Sequence, residues 1–318
     1  MSNFRLLSKP LGAVDRLLIQ SPNKSELEIL LGHGACLNAW RVAQKEGHRE
    51  LLQGYSTEEE FLQIQADTSA GARLSPFAGR VDHAKWSWKG VGYQLKNNVS
   101  WAPHALHGLV HQKPWRFESF ESNGSWAELV LAYEFKGEAA FPFPFLLQTK
   151  IIFKENAYQV DSIVKNIGDS EMPYSEGYHP YYTLGAPINE LCLQLPPVQQ
   201  ALLDDLDIPN GNFKDFDLFD QSKQIAEHFI NDCFVLKDPQ CSKVKLLNEN
   251  TKESLEIWQE SLYKCIQIYT PPHRKSIAIE PMTHVPNVLN HHQDLWVLAP
   301  NQEISSSFGA LYLSKPLR

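Results

Sequence analysis

The chain has 318 residues, 43% of them hydrophobic and 21% charged, the balance of an ordinary globular protein rather than a disordered one. Thirty-seven Asp and Glu against 29 Lys and Arg leave a net charge of −8, which argues against nucleic acid or an anionic membrane as partner. Length alone suggests two domains, yet large β sandwiches often exceed ~200 residues as one unit.

The N-terminal MSNFRLLSKPLGAVDRLL lacks the continuous apolar stretch of a secretory signal. No apolar run approaches the ~20 residues of a membrane helix. Further along, TEEEFLQIQ (57–65) places Thr57 as a helix cap ahead of three glutamates, which suits the helix dipole. Period-2 alternation then takes over. Trp86, Trp88, Val91, Tyr93 and Leu95 surround a Lys89-Gly90 turn, and WRFESFES and SWAELVLAYEF flank Asn123-Gly124, a strong hairpin signal. FLLQTKIIFKENAYQVDSIVKN reads as two strands joined near Glu155-Asn156. The segment 195–222 is acidic and punctuated by Pro, Gly and Asn, and reads as a long excursion loop rather than a linker. SLEIWQESLYKCIQIYT, SIAIEP and SSSFGALYL supply the last strands, with a short helical turn expected near HVPNVLNHHQD. Absence of an alternating βα rhythm excludes a doubly wound parallel sheet. The expectation is an all-β chain with few short helices, forming one large antiparallel β-sandwich domain over 1–318.

The five cysteines (Cys36, Cys192, Cys233, Cys241 and Cys265) are odd in number and show no C-x-x-C spacing. They read as reduced thiols of a cytoplasmic protein. Dinucleotide, phosphate-loop, zincin and hydrolase motifs are all absent; an S-x-x-K at Ser162–Lys165 falls inside a strand. His104, His107 and His111 crowd one segment. Their spacing matches no recognised metal site, which leaves exposed loop histidines or acid/base and hydrogen-bonding roles in a cleft. In SIAIEPMT, Ala278 and Glu280 share one strand face, either a solvated edge or the lining of a concave sheet. His179, among Tyr178, Tyr181 and Tyr182, is either core packing or a site residue. Trp126, Trp258 and Trp296 read as core or sheet-face packing.

Five segments in order, SPFAGRV, ALHGLVHQKPW, GYHPYYTLG, CIQIYTPP and AIEPMTHVPNVLN, resemble the aldose 1-epimerase (galactose mutarotase-like) family. The resemblance covers most of the chain, from GHGACLNAW onward. It implies a galactose mutarotase-like supersandwich and a mutarotase that needs no cofactor or metal. By this resemblance Glu280 is the general base and His179 the general acid, while His107, with Trp115 downstream, and Gln267 hold sugar hydroxyls. Two places depart from the family pattern. Where the family reads G-R-V-A-N-R, Gly79-Arg80-Val81 runs into Asp82, His83 and Ala84, so Arg80 remains but His83 and Ala84 replace an Asn-Arg pair. In FINDCFVL, the family's sugar-binding Asp corresponds to Asn231, with Asp232 one residue later; either is a candidate ligand.

Glu280 and His179 suit that chemistry, since ring opening needs a base at the anomeric hydroxyl and an acid at the ring oxygen. The expected substrate is a free aldohexose, and the expected assembly a monomer or homodimer. The alternatives are a hexose phosphate, for which Arg73 and Arg80 are the candidate cations, or a non-catalytic carbohydrate-binding protein on the same scaffold.

Overall fold

In a computed structural model describing residues 3–314, strands dominate and the two α-helices are Glu58–Thr68 and Val288–His291. The period-2 stretches become strands because alternate side chains fall on opposite faces. Along Phe145–Lys154 the buried set is Phe145, Leu147, Thr149, Ile151 and Phe153, and Ala157–Asn166 pairs with it through the Glu155-Asn156 turn. Burying each large apolar side chain contributes about 1.5–3 kcal/mol. At Lys89-Gly90 both residues have positive φ (49° and 81°) between the paired Trp88 and Val91, the I′ geometry whose twist matches the flanking strands. The Asn123 side chain accepts from the amides of Ser125 and Trp126, closing the next hairpin. Glu60 N–H donates to Thr57 Oγ1 at the start of the first helix.

Two large antiparallel sheets form among the described residues. The nine-stranded sheet runs from Arg116–Ser122 through Phe145–Lys154, Ala157–Asn166 and Glu303–Ser314 to Lys223–Gln224. The thirteen-stranded sheet begins at Arg5–Ser8 and passes through His48–Leu52. Tyr181–Tyr182, Ile277–Met282, Cys265–Tyr269, Asn231–Leu236, Val198–Leu203 and Pro209–Phe216 complete it in that order. Residues of both sheets share one apolar cluster that includes Ile29, Trp40, Leu147, Val160, Ile266 and Phe308. The fold is all-β, as the alternation implied.

One expectation is corrected. The segment 195–222 is no loose loop: Val198–Leu203 and Pro209–Phe216 pair as a hairpin on the edge of the large sheet. Its alternation is weak because the Pro209–Phe216 strand is half-buried or exposed throughout and needs no apolar face. Cys36, Cys192, Cys233 and Cys265 carry free thiols. Among the described residues no helix is long and apolar enough to cross a membrane.

Candidate active site

Strand register assembles the floor of the main cleft. Gln267 stands opposite Glu280, and Asn231 opposite Tyr269, across three neighbouring strands of the large sheet. Directly paired residues share a face, so Glu280, Gln267, Tyr269 and Asn231 all turn toward one cavity of about 370 Å³. Gln267 Nε2 donates to Asn231 Oδ1 at 3.2 Å. Asp232, one residue on, belongs to the opposite face and accepts from Gln200 Nε2 at 2.5 Å. Of the two candidates only Asn231 lines the cavity; strand parity turns Asp232 away from it.

His179 enters from a neighbouring segment whose backbone is pinned on both sides. Its N–H donates to Ala72 O at 3.0 Å, and its carbonyl accepts from Gly71 N at 2.8 Å. The imidazole stacks on Tyr181 at 5.0 Å and meets the His107 ring edge-on at 5.2 Å. His179 Nε2 lies 3.4 Å from Glu280 Oε1, and both side chains are buried. His107 arrives on a left-handed turn, φ 61°, followed by Gly108 at φ 80°. A Cβ at Gly108 would sit 2.1 Å from Ser75 O, so a side chain there would break the turn that aims His107. Neither His107 Nδ1 nor His179 Nδ1 has a partner among the described residues.

Arg80 reaches the same cavity from the other wall. It stands 3.5 Å from Asp207 Oδ2, and Trp101 covers its guanidinium at 5.7 Å. Asp207 comes from the tip of the hairpin in 195–222. Trp101, Phe229, Met282 and Pro286 complete the walls. Burial pushes the Glu280 carboxyl well above the usual carboxylate range, opposed by the Arg80 charge. Burial pulls His179 down to about 4. His107 is drawn well below its ordinary value by burial, then by the charges of His179, His111 and Arg80. The short approach of His179 to Glu280 would suit an ion pair, but the enclosed setting favours neutral forms of both.

Six sequence candidates therefore converge: Glu280, His179, His107, Gln267, Asn231 and Arg80. Trp115 does not join them; it is buried in the core, stacked on Tyr133 and against the Arg73 guanidinium. The histidine cluster is no exposed loop. His104 and His111 are buried, and His104 Nε2 reaches Leu206 O at 3.0 Å, tethering the hairpin tip. Asp82, His83 and His104 offer donor atoms within 4.8 Å of one another, a spacing a metal ion could bridge. Each is already engaged: His83 Nδ1 with Asp82 Oδ1 at 2.7 Å, and His104 Nδ1 with the His83 amide at 3.1 Å. Sequence reasoning missed Trp101, Asp207, Phe229, Tyr181 and Tyr269 as lining residues. The two tyrosines adjoin His179 and Gln267 in the alternation and were within reach; the other three arrive only through tertiary folding.

The sequence pattern of the family described as Aldose 1-epimerase matches residues 15–310. The chain belongs to the aldose 1-epimerase family. It is similar to uncharacterized protein YihR of Escherichia coli (strain K12), 26% identical over 237 residues, 72% of this chain and 74% of that one. In fold it is similar to a galactose mutarotase-like protein from Clostridium acetobutylicum, with TM-score 0.87 and 16% identity over 98% and 99% of the two chains. Galactose 1-epimerase from Lactobacillus acidophilus gives TM-score 0.80 and 14% identity over 99% of each.

In this aldose 1-epimerase family member, His83 and Ala84 stand where the family pattern carries Asn and Arg, and neither lines the cleft. Ala84 is buried, and His83, at φ 47°, turns its ring to Asp82 and solvent. Among the described residues Arg80 is thus the one arginine on the cavity wall. Arg73 is withdrawn from any ligand: it lies beneath the site, 2.7 Å from Glu176, with both side chains fully buried. Arg73 also donates to Thr149 Oγ1 and Gln148 O on the opposing sheet. Glu176 accepts from Tyr174, Tyr263 and Ser306. The pair ties the segment leading into His179 across the sandwich.

Proposed function

We propose that the protein is a mutarotase that interconverts the α and β anomers of a free aldohexose, with Glu280 as base and His179 as acid. The supporting observation is the 3.4 Å approach of His179 Nε2 to Glu280 Oε1 at the blind end of the cleft. In a pyranose the anomeric hydroxyl and the ring oxygen are bonded to the same carbon, so acid and base must be neighbours. Proton bookkeeping is simple. A protonated Glu280 beside a neutral His179 holds as many protons as a carboxylate beside an imidazolium, so the pair shares one proton. Burial favours the neutral arrangement; sugar hydroxyls and the Arg80 charge favour the carboxylate.

Ring opening then runs from the charged arrangement. Glu280 takes the proton of the anomeric hydroxyl, its oxygen forms the carbonyl, and the bond from C1 to the ring oxygen breaks. His179 gives its proton to that ring oxygen. After rotation about C1–C2 the ring oxygen attacks the other face of C1, returns its proton to His179, and Glu280 reprotonates the new anomeric oxygen. No electrons are gained or lost, and no step calls for a cofactor. Gln267, Asn231, His107 and Arg80 orient the hydroxyls. General acid–base assistance of this kind contributes about 10²–10⁴-fold.

A sugar phosphate is less well served, since among the described residues Arg80 is the one Lys or Arg lining the cavity, and it faces Asp207. A purely binding role leaves the buried Glu280 unexplained, because a carboxyl desolvated beside an imidazole costs stability that a binder need not spend. Polarimetry of freshly dissolved α-D-glucose and α-D-galactose tests the reading. The protein should accelerate mutarotation of at least one; a rate no faster than buffer on either would overturn it.

A further inference from the structure

We propose that the protein carries a second ligand site, behind Tyr181, that takes a small neutral polyol and acts on the catalytic pair through the Tyr181 ring. The effect on the pair rests on the mutarotase reading; the site itself does not. Tyr181 is a partition. On one side it lines the main cavity, where its ring lies 5.0 Å from that of His179 and within 14° of parallel. It also borders a small cavity of about 50 Å³, together with His273 and Ser276. That cavity shares Gln53, Gly54 and Tyr55 with a larger one of about 260 Å³, which Thr183 and Lys275 help to line. The backbone holds the partition in register: Gln53 N–H donates to Tyr181 O at 2.9 Å, and Thr183 N–H to Leu51 O at 3.1 Å. Gln53, Thr183 and Ser276 take no part in the main cavity.

Two polar atoms on these walls lack a partner among the described residues. Ser276 is 1% exposed, and its Oγ makes no hydrogen bond; Gln53 Oε1 is buried and equally unmatched. Buried polar atoms are nearly always paired, so each exception calls for an explanation. Their chemistry selects the ligand. Gln53 Oε1 only accepts, whereas the Ser276 hydroxyl both donates and accepts; a hydroxyl-rich compound meets both. Charge on the walls is largely compensated. Arg41 is engaged by Glu50 and Glu28, and Glu60 accepts from the Ser56 amide. Lys275 stands exposed at the rim. The interior therefore favours a neutral guest over an ion. The two volumes together reach only the lower end of the ~300–1,000 Å³ range of ligand pockets, which suits a small molecule. A guest packed behind Tyr181 would hold its ring, and with it the stacked His179, in place.

The probes are sorbitol and myo-inositol, which have no anomeric centre and cannot be turned over. Calorimetry should show at least one of them binding the wild type and Glu280→Gln with equal affinity. Ser276→Ala and Gln53→Leu should each weaken that binding by about 3- to 10-fold, the scale of one hydrogen bond. Binding of neither polyol, affinity unchanged in both cavity variants, or displacement by galactose from Glu280→Gln overturns the site. These outcomes hold whether or not any sugar is turned over. Coupling is read separately, from mutarotation of glucose or galactose with saturating polyol. The polyol should raise kcat by about 5-fold, the lower end of ordinary coupling, and Ser276→Ala should reduce that gain at the same polyol concentration. An increase in KM with kcat unchanged would mean that the polyol merely competes in the main cleft, and would overturn the coupling.

Discussion

Glu280 shows how a single residue carries meaning that its neighbours in sequence do not. Parity in SIAIEPMT assigns it to the face of Ala278, but solvated edge and concave lining are equivalent until Gln267 is paired with it. Asn231 and Asp232 illustrate the same limit. Adjacent strand residues point oppositely, and register selects Asn231 without any appeal to charge. The shared proton also makes a prediction at this scale. A second proton joins the pair when His179 titrates, and burial holds that group at about 4. The acid limb of kcat/KM should therefore fall near pH 4, so activity persists as pH drops from 7 to 5. Loss of half the activity near 6.5, where an unburied imidazole titrates, would contradict a desolvated pair.

At the scale of elements, hairpins were the legible part. Asn123-Gly124, Lys89-Gly90 and Glu155-Asn156 each join strands whose alternation marks a buried face. The hairpin in 195–222 escaped because Pro209–Phe216, an edge strand, buries little and so shows no apolar period. Asp207 was hidden with it. The Arg73–Glu176 pair, equally invisible in sequence, joins the segment before His179 to the opposite sheet. Burial raises the Glu176 pKa, but the Arg73 charge and the surrounding hydrogen bonds outweigh it and hold the carboxyl below its usual range. Arg73→Met would leave Glu176 buried and uncompensated, a cost of about 3–5 kcal/mol. Urea unfolding should show that loss, and Arg73→Met/Glu176→Gln should recover part of it. An unchanged midpoint in Arg73→Met would mean that the pair does not secure the segment.

Across the whole molecule, alternation carried the fold class. Two sheets share one apolar cluster, and candidate site residues from position 80 to 280 reach one cavity because tertiary neighbours are distant in sequence. The enclosed site and its surroundings also set the acid response of the fold. His111, His179 and His284 are each held near 4 by burial. Their folded pKa values are depressed, so their contribution is present above 6.5 and is lost as pH falls toward 4. Glu280, raised by burial, works in the opposite sense. Between 6.5 and 4 each of these histidines adds about 1.4 kcal/mol per pH unit to the slope, and Glu280 subtracts as much. Stability from urea unfolding should fall between pH 6.5 and 4.5; a flat profile would show that these histidines are hydrated.

The central claim is that Glu280 and His179 act as one proton-sharing pair on the anomeric centre. Its most direct test is the mutarotation rate on a fresh α anomer for the wild type, Glu280→Gln, His179→Asn and the double variant. Each single variant should lose at least about 10²-fold, and the double variant should be no slower than the slower single, because residues acting as a unit are not additive. Retention of the wild-type rate in either single variant, or losses that multiply in the double, would contradict the account.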